Sequence, residues 1–108
     1  MPRSARSRPH CCARPARVSQ RSLRSTYITE LDVERCASCG AWWLHEVREI
    51  AMNDEFEELE LVQLARLEPS EAEALVAEAT PSLDFAFLGT RAVWSGPKGY
   101  ETEGVGWR

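Results

Sequence analysis

The sequence predicts a small α+β fold: a three-stranded antiparallel sheet with a cysteine knuckle at its first hairpin, and one helix on its C-terminal side packed against it. Three observations carry that expectation. Residues 26–35 alternate apolar and polar side chains with period two, the pattern of a half-buried strand. Cys36-Ala37-Ser38-Cys39-Gly40 follows at once and leads into Trp42-Trp43. Residues 69–79 place apolar side chains at helical spacing behind a proline. A chain of 108 residues, 44% hydrophobic and 28% charged, is one domain's worth of globular protein.

Residues 1–25 come first. They hold seven arginines and no acid, with serine and proline between them. So few apolar side chains cannot offset the entropy of ordering, and a disordered basic arm carrying Cys11-Cys12 is expected. The same composition fits an arm that contacts nucleic acid phosphates, an organellar transit segment, or a solvated tail. The remaining residues carry the other six basic groups and all 17 acids, a formal −11 that brings the chain to −4. That acidic remainder repels phosphates, so a nucleic-acid role would rest on residues 1–25.

In the first expected strand, Tyr27, Thr29, Leu31 and Val33 form one face, and Ile28, Glu30, Asp32 and Glu34 the other. Residues 41–52 read as a second strand, with Trp43, His45 and Val47 opposite Trp42, Leu44 and Glu46, or as a helix with Trp43, Val47 and Ile50 on one stripe. A hairpin knuckle favours the strand. Asn53-Asp54 marks a turn, and a third strand is expected over 59–67, with the acids from Asp54 to Glu60 on a solvated hairpin tip. The helix over 69–79 has Ala72, Leu75, Val76 and Ala79 as its apolar stripe, expected to pack on Leu31, Val33, Val47 and Trp42 or Trp43. The core is thus expected over 26–81. Residues 82–108 are broken by glycines and are expected to form one extended segment and a loose tail.

Four cysteines are the chemistry-bearing residues. A Cys-x-x-Cys turn lets two thiolates face one ion while turn N–H groups donate to the sulfurs, and Gly40 supplies the positive φ needed to turn back. The other half of a tetrahedral site must come from Cys11, Cys12 or His10. The expected ligands are Cys11, Cys12, Cys36 and Cys39, with His10 as a substitute, holding structural zinc. His45 reads as an ordinary half-exposed histidine. The alternatives are inert buried thiols and a Cys36/Cys39 redox pair, which would want the first cysteine at a helix N-terminus. Residues 1–25 have no apolar h-region, so a reducing, cytoplasmic compartment is expected rather than disulfides.

Val33-Glu34-Arg35-Cys36-Ala37-Ser38-Cys39-Gly40-Ala41-Trp42-Trp43-Leu44 resembles the knuckle of zinc-ribbon proteins, and Leu67-Glu68-Pro69-Ser70-Glu71-Ala72 is similar to a segment near the end of small bacterial zinc-ribbon-like proteins. Only Cys36, Cys39 and Gly40 carry over, and Ala37 stands where proline is common. The resemblance implies a structural metal and no particular activity. No phosphate loop, nucleophilic triad or other catalytic constellation is evident, so a non-enzymatic module acting through a protein partner is the expected function. No apolar run reaches the roughly 18 residues of a membrane span, and no membrane partner is expected.

Overall fold

The computed structural model describes residues 11–51 and 58–108. Six strands form one antiparallel sheet in sequential order: β1 (Arg17–Ser25), β2 (Thr29–Cys36), β3 (Trp42–Ala51), β4 (Glu58–Leu67), β5 (Ala92–Pro97) and β6 (Thr102–Val105). One helix, α1 (Pro69–Ala77), and a short 3₁₀ turn (Ala86–Leu88) lie between β4 and β5. The expected three-stranded sheet is therefore corrected to six strands, with β2, β3 and β4 as its centre.

Cross-strand register separates the two faces. Val33, Leu44, Ala65 and Val93 pair in a row across β2 to β5, and α1 packs on that side through Ala72 and Leu75. Leu31, Leu67, Phe85 and Leu88 complete this core, with Trp42, Val76 and Trp107 partly buried beside it. The next row, Asp32, His45, Leu64 and Trp94, points the other way. Trp43 and Val47 belong to this second face, so of the side chains expected under the helix only Trp42, Leu31 and Val33 are there. Period two settles it: Trp42 and Trp43 cannot share a face.

β1 runs through the expected disordered arm. Almost all of its residues are exposed, and its pairing with β2 is interrupted by two register shifts. An edge strand needs no buried face; the backbone ladder and polar pairs hold it. Ser25 Oγ donates to Glu30 Oε2 at 2.6 Å, and Arg17 Nε lies 3.2 Å from Glu34 Oε1. Tyr27, expected in the first strand, stands in the β1–β2 turn and is 93% exposed.

The expected loose tail is also sheet. β5 pairs with β4, and β6 with β5. Gly96 is a hairpin residue rather than a breaker: at φ 139° a Cβ there would meet the Tyr100 carbonyl at 3.3 Å. The chain end docks back on β4, where Arg108 N–H donates to Gln63 Oε1 at 2.9 Å and Gln63 Nε2 donates to the Arg108 carbonyl at 3.0 Å. Trp107 stacks edge-on against Phe85 with centroids 5.8 Å apart.

α1 ends at Ala77, two residues earlier than expected. Its start follows the sequence signal, with Glu71 Oε1 accepting from Glu68 N–H at 2.8 Å. Its end carries no basic residue of its own. Arg21 of β1 supplies one, donating to the carbonyls of Leu75 (2.9 Å), Val76 (3.1 Å) and Ala79 (3.3 Å), and to that of Glu78. Among the described residues, no helix is long and apolar enough to cross a membrane.

Candidate metal centre

The β2–β3 hairpin sets two of the four thiols. Cys36 ends β2, and the chain turns through Ala37–Gly40, closed by Gly40 N–H to the Cys36 carbonyl and Cys36 N–H to the Ala41 carbonyl, both 2.8 Å. Gly40 adopts φ 83°, as its place after Cys39 requires. The other two thiols come from the segment before β1, which is tied to the turn by Ala37 N–H donating to the Ala16 carbonyl at 2.8 Å.

The result is one cluster: the sulfurs of Cys11, Cys12, Cys36 and Cys39 all lie within 4.8 Å of one another. Cys12 Sγ is 3.8 Å from Cys36 Sγ and 4.0 Å from Cys11 Sγ. Four sulfurs at ~2.3 Å from a common ion would form a tetrahedron with edges of about 3.8 Å. All four cysteines are free thiols, and Cys36 is buried while Cys39 is exposed. The four residues together can hold a metal ion. His10 lies outside the described residues. His45 is not in the cluster; its Nδ1 is 2.8 Å from Glu34 Oε2.

The surroundings favour a charged Cys36 and neutral Cys11 and Cys12. Ala16 N–H donates to Cys36 Sγ at 3.4 Å. That bond, with the N–H groups of Cys39 and Ser38, draws the Cys36 thiol down to about 5. Burial and the neighbouring Cys39 and Cys36 push Cys11 up to about 12. Burial also raises Cys12, against the pull of the Arg14 N–H. Four thiols this close cannot all ionise unless a cation joins them. Among the described residues the buried Trp43 indole N–H meets no partner with hydrogen-bond geometry, yet it favours the ionised form of Cys11.

Cations ring the site. Arg17 and Arg66 stack on the Trp43 ring at 5.9 and 5.3 Å, and Arg35 stacks on Trp42 at 5.0 Å. Arg35 and Arg66 have no carboxylate partner among the described residues. A divalent ion with four thiolates would carry a net −2, and arginines stacked on Trp42 and Trp43 would offset part of it.

Sequence reasoning missed the roles of Ala16, Arg17 and Trp43. Ala16 acts through its backbone, which no side-chain pattern reveals, and Trp43 reads from sequence first as a core anchor and second as a binding surface. Beside the centre, on the face opposite α1, Glu34 is held between Arg17 and His45 at the edge of a groove of about 620 Å³ floored by Val47, Val62 and Leu64. Searched against family models, curated proteins and solved structures, the chain matches none of them.

Proposed function

We propose that Cys11, Cys12, Cys36 and Cys39 hold one zinc ion, and that the protein is a non-enzymatic module in which this metal is structural and a protein partner is the target. The carrying observation is the approach of all four sulfurs to within 4.8 Å, from two segments far apart in the chain. Thiolate donors in a tetrahedron suit zinc or iron, and zinc adds no redox chemistry. Free thiols fit a reducing, cytoplasmic setting. The zinc-ribbon resemblance rests on Cys36, Cys39 and Gly40 of the knuckle alone.

The thiol-redox alternative has one observation in its favour, the low-lying Cys36 thiol. Against it, Cys36 is 1% exposed, and an attacking thiolate must be reached. The motif also lies on a hairpin turn rather than a helix start. For nucleic acid, Arg17 and Arg21 already have partners within the fold, which leaves fewer free cations in residues 1–25 than the composition implied. The acidic run Asp54 to Glu60, the face offered to a basic partner, falls largely outside the described residues.

Native mass spectrometry of the full chain is expected to show one zinc, absent from Cys36→Ser and from Cys11→Ser/Cys12→Ser. Visible absorption after cobalt exchange is expected to be that of a four-thiolate tetrahedral site. A wild-type chain purified under reducing conditions without stoichiometric metal, and refusing added zinc, overturns the metal reading. Iron in place of zinc would overturn the purely structural role.

A further inference from the structure

We propose that β1 is a detachable strand latched by the metal: metal bound to the four cysteines keeps residues 11–25 docked, and metal loss releases them while β2 to β6 and α1 stay folded. The inference rests on the metal reading above and adds to it a moving part.

Consider what holds each region. The ten residues of the buried core cluster all lie between Leu31 and Val93, and none lies in 11–25. Within β1, only Leu23 packs on that cluster, and only in part; Val18 is 52% exposed. So exposed a strand gains little from apolar burial. Two register shifts weaken its ladder further. Besides its ladder, the Ser25–Glu30 hydrogen bond, the Ala16 backbone bonds to the knuckle and the Arg17 stack on Trp43, three attachments tie residues 11–25 to distant parts of the fold. Arg17 pairs with Glu34, a partly exposed ion pair of small worth. Arg21 bonds the carbonyls at the end of α1. Cys11 and Cys12, a few residues ahead of Arg17, meet Cys36 at the far end of β2.

The third attachment dominates when metal is present. At a structural zinc site the free energy of metal binding is free energy of folding. Without the ion, the four thiols contribute only weak mutual contacts. The core residues supporting β2 to β5 do not change, and β6 stays paired to β5. Metal loss therefore acts on one strand rather than on the whole sheet. Release of β1 has two structural effects: Arg21 leaves the end of α1, and the edge of β2, with Glu30, Asp32 and Glu34 along one side, is uncovered.

Amide hydrogen exchange on the full chain, read by peptide mass spectrometry, tests this in three arms. They are zinc-loaded protein, protein stripped by a chelator under reducing conditions, and Cys11→Ser/Cys12→Ser with zinc present. Native mass spectra of the same samples report metal content. Stripping, and the double variant, are expected to speed exchange in residues 17–25 by roughly tenfold or more, and in the last turn of α1, with residues 42–51 and 58–67 unchanged. If a chain carries zinc and its β1 amides stay protected after stripping, the latch is wrong and the metal reading stands. If the chain carries no zinc and β1 is protected throughout, both fall. If every strand speeds up together, the metal holds the whole fold and the latch is overturned.

Discussion

At the scale of single residues, Glu71 shows how one side chain serves two elements. Its oxygens take both arms of the Arg91 guanidinium at 2.7 and 3.1 Å, while Oε1 also accepts the N–H of Glu68, the residue that caps α1. The Arg91 hydrogen bond holds the Glu71 carboxyl below its ordinary 4.5. A depressed carboxyl adds stability that is fully present above the unfolded value and is lost as pH falls through the folded one. Glu71→Gln is thus expected to cost about 1 kcal/mol at neutral pH, allowing for partial exposure, and nothing at pH well below 4. Urea midpoints from pH 3 to 7 check it; a constant difference across that range would refute it. Cys36, Cys39 and Gly40 were legible as a knuckle because their chemistry depends on local spacing. The service of Arg91 to α1 was not, since ring-closing contacts between distant residues leave no local pattern.

Among the elements, β1 and α1 depend on each other. A helix end needs its last carbonyls satisfied, and here the donor is Arg21, from a strand placed far earlier in the chain. Arg21→Gln, keeping a donor but not the charged fork, is expected to destabilise by about 1 kcal/mol, while Arg24→Gln on the same exposed strand is expected to be neutral. Thermal melts of the two variants decide it, and equal losses would mean the cap contributes nothing. The centre of the sheet could be read from alternation in residues 29–36 and from helical spacing after Pro69. β1 and β6 could not, and β5 only as a candidate short strand at Ala92-Val93-Trp94. Their strands are exposed, short or interrupted by glycine, and each is defined by a neighbour rather than by its own pattern.

For the molecule as a whole, both ends of the described chain are fastened: the N-terminal side at the cysteine cluster, the C-terminal side at Gln63 and Phe85. Composition suggested the opposite, since arginine-rich and glycine-rich segments are ordinarily loose. Long-range pairing overrode it. Removing Trp107 and Arg108 is expected to lower stability by about 2 kcal/mol, from lost aromatic packing and two hydrogen bonds. Chemical denaturation of the truncated chain measures this, and an unchanged midpoint would show the docked end to be ornamental to the fold.

The sequential order of the strands also has a kinetic consequence. Each strand pairs with its immediate neighbour in the chain, so a protein emerging from the ribosome finds every partner already synthesised. Four of the five pairings join strands separated by six residues or fewer in the sequence. Only β4 and β5 must wait for residues 68–91, the helix and the 3₁₀ turn, to pass between them, which makes that closure the slow step by loop entropy.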